Sequence, residues 1–258
     1  MSLSVFRACF RPVFALLLAL SLGACATGPD PRDPLEPWNR KVSDFNEAVD
    51  SMVLKPVAIG YRNAVPDLAR TGVSNFFGNL GDAWSTVNNV LQLRPQYAAE
   101  SWLRVGVNTV FGLGGILDVA TELGIERHRA DFGQTLGRWG VDTGPYIVLP
   151  LLGPSTLRDT FALPVDSWGD PVRAFNPGEV ETGLYALRLV DVRANLLRAS
   201  SVLDSVALDK YSFTRDAYLQ RRQSQIYRGP SRDNSQDSGD AGHEENYDEP
   251  APAAEPAR

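Results

Sequence analysis

The sequence has very little cysteine and very little histidine: among 258 residues only Cys9, Cys25, His128 and His243 occur. Cys9 lies in a stretch expected to be removed and Cys25 is expected to be capped, so the mature chain offers neither a disulfide nor a thiol nucleophile. With one usable histidine and no thiolate, no zinc or other metal site is expected. A serine nucleophile would have only His128 as its base, and Gly153-Pro154-Ser155-Thr156-Leu157 lacks the second glycine of a nucleophile elbow. Asp131-Phe132-Gly133 stands without the glycine-rich loop and His-Arg-Asp of a kinase, and Phe111 to Gly115 reads Gly-x-Gly-Gly rather than a dinucleotide fingerprint. No catalytic residue and no cofactor is expected, and the chain is not read as an enzyme.

A long apolar run is missing as well. Between Arg104 and Asp118 the chain carries no charge, yet these thirteen positions would extend only about 20 Å as a helix against a hydrocarbon core of about 30 Å. Gly112, Gly114 and Gly115 interrupt the run further. Alternating strand patterns are also absent, and periodicity favours helix nearly everywhere.

The ends of the chain are distinctive. Arg7 and Arg11 precede an apolar run from Val13 to Leu20, followed by Leu22-Gly23-Ala24-Cys25. This reads as a signal peptide over 1–24 with a bacterial lipobox, so Cys25 is expected to carry diacylglycerol and a fatty acyl group. No aspartate follows at position 26, which favours the outer membrane over the inner. Residues 229–258 hold eight acids, two arginines and four prolines with almost nothing apolar, and are expected to be a disordered acidic tail. Without the tail and the leader arginines the body carries about −2, which excludes a basic nucleic-acid binder. One helical domain over 25–228 is expected, with 25–32 as a short linker after the lipidated cysteine.

Within it, Asn79 to Leu91 places Leu80, Trp84, Val87 and Leu91 on one face and Asp82, Ser85 and Asn89 on the other. Val180 to Ser201 and the more polar Asp209 to Arg228, with Arg215, Arg221, Arg222 and Arg228, also read as helices. From Gln96 to Phe111, Glu100, Arg104 and Asn108 form one narrow polar strip while Trp102, Leu103, Val105, Val107, Val110 and Phe111 cover the rest. That proportion is the reverse of a soluble surface helix. A central helix of a soluble bundle, with Glu100 pairing Arg104, remains an alternative. Thr143 to Leu157 holds three prolines and two glycines around an apolar centre, so it cannot be one helix and must be tucked under others or lie at an interface. His128, flanked by Arg127 and Arg129, reads as a surface or headgroup-facing residue.

DPLEPWNR (33–40), FNEAVD (45–50), KPVAIGYR (55–62), SNFFGNL (74–80), NTVFGLGGILDVA (108–120) and DFGQTLGRWGVDTGPYIVLPLLGPSTLRD (131–159) together resemble the signature blocks of the VacJ/MlaA outer-membrane lipoproteins of Gram-negative bacteria. The blocks occur in order over most of residues 33–160, and the likeness thins beyond Asp159. The resemblance implies an all-α fold, a ring of short amphipathic helices embedded in the outer membrane from the periplasmic side around a central amphipathic pore. It implies removal of mislocalised phospholipids from the outer leaflet and their transfer to a soluble periplasmic carrier, with a trimeric porin as a further partner. Helical phase then suggests Glu100, Arg104, Asn108 and Asp118 as pore-lining, lipid-binding residues and Gly112, Gly114 and Gly115 as a hinge or gate. The competing reading is a lipoprotein scaffold or assembly factor for β-barrel porins that conducts no lipid.

Overall fold

The computed structural model describes residues 30–175 and 178–227. Cys25, the signal peptide, residues 25–29 of the linker, Arg228 and the acidic tail lie outside the described residues. The architecture is helical. Helix α1 (Glu36–Val49) continues through a π-helical turn (Asp50–Leu54) into α2 (Lys55–Ala64), where the Val65-Pro66 step ends it. Helix α3 (Asp67–Leu91) and α4 (Pro95–Val110) form a hairpin, turned at Leu93 with φ 55° and restarted by a proline in the first turn of α4.

Short α5 (Val119–Glu122) and α6 (Phe132–Arg138) follow, capped by the carboxylates of Asp118 and Asp131. After β1 (Tyr146–Leu149) and β2 (Gly153–Thr156) come α7 (Leu157–Gly169), a 3₁₀ turn (Pro171–Ala174), α8 (Glu179–Val206) and α9 (Lys210–Tyr227).

The antiparallel pair β1–β2, in register Tyr146 to Thr156 and Leu149 to Gly153, departs from the expectation that strands are absent. Four residues per strand is too short for alternation to register in the sequence, and Pro154 sits at one strand where only an edge tolerates it. The strands pack against α1 and α9, while the turn between them, Pro150 to Leu152, is exposed, so the segment combines the two placements its prolines allowed. Asn39 and Asn46 of α1, two turns apart on one face, substitute for a third strand. Asn39 donates to Tyr146 O (3.0 Å) and accepts from Val148 N (2.9 Å), while Asn46 donates to Leu149 O (2.9 Å) and accepts from Leu151 N (2.7 Å).

Burial runs opposite to that of a soluble protein. Among the described residues, buried polar and charged side chains outnumber buried hydrophobic ones. On α3, Asn79, Asp82, Ser85, Asn88 and Asn89 are buried alongside Gly72 and Phe77, while Val87, Val90 and Leu91 are exposed. On α4, Ser101, Arg104 and Asn108 face inward and Trp102 (66% exposed), Val110 and Phe111 (70%) face out. An exposed apolar surface of this extent marks contact with a partner or with lipid. No helix of the described residues is long and apolar enough to cross a membrane.

Candidate functional site

From α3 onward the elements run around an open cavity of about 1740 Å³. This exceeds the roughly 300–1,000 Å³ of an ordinary small-molecule site. Polar and charged residues make up most of its lining, interspersed with apolar ones such as Leu149, Leu163 and Leu196, while the outer faces of α3 and α4 are apolar, and two networks of buried ion pairs hold it in place.

The first joins α3, α4 and α5. The Arg104 guanidinium, 1% exposed, donates from Nε to Asp82 (3.2 Å), from Nη2 to both oxygens of Asp118 (2.8 Å each) and from Nη1 to Thr121 (3.2 Å) and the Ile125 carbonyl. Every nitrogen has an acceptor, which is what a buried cation requires. Asn108 donates to Asp118 (2.9 Å) and accepts from Ala120 N (2.8 Å), and Arg127 bridges Asp82 and Asp118 from the opposite side at 3.2 and 3.4 Å.

The second network joins α6, α7 and α9. Arg222 holds Asp131 through two hydrogen bonds (2.6 and 2.9 Å) and Asp159 through Nε (2.8 Å); Arg158 (2.9 Å) and Tyr218 (2.9 Å) complete the Asp159 carboxylate. Burial alone would favour the neutral acids, but the hydrogen bonds and charge of Arg222 outweigh it and hold both carboxyls below the ordinary carboxylate range. Gly133 makes this approach possible, because a Cβ there would lie 2.6 Å from both Arg222 Nη2 and Asp159 Oδ1. Of 25 basic residues only Lys41, Lys55 and Lys210 are lysines, consistent with a need for planar, multiply donating cations in buried pairs.

Of the residues singled out by helical phase, Arg104, Asn108 and Asp118 come together in the first network. Arg104 borders the cavity directly, with Asn108 and Asp118 bonded behind it. Glu100 belongs elsewhere. Instead of pairing with Arg104, it accepts from Gln96 (3.0 Å) and hydrogen-bonds His128.

His128 itself is buried and stacked on Tyr97 at 4.2 Å between ring centroids, which corrects its reading as a surface residue. The partner ring stands 31 positions away in sequence, beyond any local pattern. The last helix is likewise not a plain solvated face: Arg215 and Arg222 are buried, Arg221 is exposed and lines the cavity, and Arg228 is outside the described residues. The network roles of Asp82, Asp131 and Asp159 were not read from sequence; Asp82 and Asp159 are carboxylates within helices that carry many apolar residues, and Asp131 is the cap just before α6.

The glycine stretch forms the non-helical turn between α4 and α5. Gly114 and Gly115 take φ of +74° and +95°, and Leu113 shares the left-handed region at 53°. Gly115 lies flush with Asn79, whose Nδ2 would be 2.7 Å from an added Cβ, whereas the space beside Gly114 is open.

A family model described as "MlaA lipoprotein" matches residues 31–225. The intermembrane phospholipid transport system lipoprotein MlaA of Escherichia coli (strain K12) is 37% identical over 214 residues, covering 80% of this chain and 84% of that protein. The Haemophilus influenzae protein of the same name is 36% identical over 226 residues, covering 83% and 90%. A solved structure described as "Structural basis for maintenance of bacterial outer membrane lipid asymmetry" matches with a TM-score of 0.61 at 36% identity, covering 74% of this chain and 96% of that one.

Proposed function

The chain belongs to the MlaA lipoprotein family, and from that membership and its inverted burial we propose that it is an outer-membrane lipoprotein that takes mislocalised phospholipids out of the outer leaflet. The lipids pass through the central cavity to a soluble periplasmic carrier, which maintains lipid asymmetry; a trimeric porin is the further partner in the membrane. The observation that carries this reading is the combination of an apolar exterior with buried polar networks around a large amphipathic cavity. A soluble carrier of lipid tails would have the reverse. Short helices lying flat in one leaflet need not span it, acyl chains meet the exposed faces of α3 and α4, and headgroups meet the polar wall.

In this reading Arg104 is part of the wall that headgroups pass, Asn108 and Asp118 hold it from behind, and Glu100 supports the neighbouring segment through His128. Gly112, Gly114 and Gly115 are the bend beside the passage. Gly114→Leu has room for its side chain but disfavours the +74° φ that the bend uses. It is expected to stop lipid flux while the protein stays anchored; unimpaired flux would remove the hinge role. Cys25→Ser is expected to abolish lipid attachment and leader cleavage together, seen as loss of palmitate label on a longer chain, and retention of both would refute the anchor.

The conduit is tested with a photoreactive residue inside the cavity. Leu163 on α7 lines it. Leu163→p-benzoylphenylalanine in cells is expected to capture phospholipid, and its failure to capture any would overturn the proposal. The scaffold reading predicts no lipid at this position.

A further inference from the structure

The cavity wall is not uniform in what it leaves unbonded. The guanidiniums of the Arg104 and Arg222 networks are already met by carboxylates. Where α3, α6 and α7 approach one another, the spare capacity has the opposite sign. Asp166 lines the cavity and accepts two hydrogen bonds on one oxygen, from Trp84 Nε1 and from Phe132 N, each 2.8 Å. Among the described residues its second oxygen has no hydrogen-bond partner, and Arg222 acts on the carboxylate only from a distance. Gln134, 2% exposed and also in the wall, spends its amide nitrogen on Asp131 (2.9 Å), and its Oε1 is a buried acceptor without a donor. The Trp84 indole completes the patch. Its edge is pinned to Asp166, and Gly169 lies so close that a Cβ there would be 2.2 Å from the ring.

A carboxylate with a free oxygen, a donor-less amide oxygen and an immobilised aromatic ring along one stretch of wall suit a compact cation rich in hydrogen-bond donors. A phosphate would be repelled by the carboxylate and would offer the amide oxygen nothing. A primary ammonium supplies charge, three N–H donors and a cation for the indole face. We propose that Trp84, Gln134 and Asp166 form an ammonium subsite, which makes the cavity selective for phospholipids with a primary-amine headgroup over those with an uncharged polyol headgroup. The inference rests on the lipid-conduit reading and names its preferred substrate class. Asp166 supplies the charge, Gln134 the second acceptor, and Trp84 both fixes the carboxylate and faces the cation.

The test uses the full lipidated chain in vesicles of equal parts phosphatidylethanolamine and phosphatidylglycerol. Photoreactive p-benzoylphenylalanine replaces Leu163 inside the cavity or, as a bulk reference, Val110 on the exposed face of α4. Mass spectrometry of the captured lipid is expected to give an ethanolamine-to-glycerol ratio about fivefold higher at 163 than at 110, the scale of one cation–π contact in a partly wet site.

Asp166→Asn keeps an oxygen for Trp84 and Phe132 while removing the charge, and is expected to bring the ratio at 163 down to that at 110. An enrichment that survives Asp166→Asn would overturn the assignment. An unbiased ratio in the otherwise wild-type chain would overturn the subsite alone, whether or not the variant folds, and absence of any lipid at 163 would overturn the conduit and the subsite with it.

Discussion

Arg104→Met is expected to lower the melting temperature of the detergent-solubilised protein by about 10 °C or more. The reason lies in the number of elements one side chain joins. Arg104 leaves α4 and bonds α3 through Asp82 and α5 through Asp118, Thr121 and the Ile125 carbonyl, all out of water. Methionine fills much of the volume but takes from two buried carboxylates the guanidinium that holds them together, leaving Arg127 at 3.2 and 3.4 Å.

Breaking a buried pair by removing one partner costs about 3–5 kcal/mol, against a total stability of about 5–15 kcal/mol for a domain. At about 2–4 °C per kcal/mol for a chain of this size, the shift is well outside error. Arg104→Lys is expected to recover only part, because the three N–H donors of one compact ammonium cannot reach four acceptor residues spread over α3 and the segment around α5. Arg104→Met combined with Asp118→Asn is expected to be more stable than Arg104→Met alone, since the second change removes one of the two carboxylate charges. A melting temperature for Arg104→Met within about 2 °C of wild type, on the same scale, would mean that the network is ornamental.

Much of the helical content was legible, because a 3.6-residue period needs no knowledge of what lies outside. Val180 to Ser201 falls within α8, Gln96 to Phe111 nearly coincides with α4, and Asn79 to Leu91 is the second half of α3. Periodicity divides a helix into two faces but does not say which is turned inward. For α3 the two faces are of similar width, and either assignment was open; for α4 the narrowness of the polar strip pointed to the arrangement observed.

Partners were a different matter. Glu100 and Arg104 are four apart and look like a helix-surface pair, yet each finds better partners from remote segments, at His128 and at Asp82 and Asp118. A surface pair contributes a few tenths of a kcal/mol, so it yields whenever the fold offers a buried, multiply bonded alternative. The strands were missed for a related reason: two four-residue segments are stabilised by Asn39 and Asn46 from a helix about a hundred positions earlier, which no local window contains.

The belt of exposed hydrophobics makes the second large effect. Trp102→Glu with Phe111→Glu is expected to leave the fold intact but to detach the protein from the bilayer, once the covalent lipid no longer masks the change. Both side chains project from the outer face of α4 and are more than half exposed. If that face met water, two glutamates would alter stability by no more than about 0.5 kcal/mol each and would raise solubility. If it meets acyl chains, each charge costs about 2.5–3.5 kcal/mol near the bilayer centre. Two together weaken partitioning by more than about a thousandfold, at 1.4 kcal/mol per decade.

The two environments therefore give opposite results from one pair of substitutions. In a form that starts at Ala26 behind an ordinary export signal, the unsubstituted chain is expected to stay with membranes through alkaline carbonate washing and the double variant to appear in the supernatant, with the same melting temperature to within about 3 °C. A double variant that remains in the pellet, or an unsubstituted Ala26 form that is freely soluble without detergent, would show that α4 faces protein or water. The inverted burial would then need an explanation other than lipid.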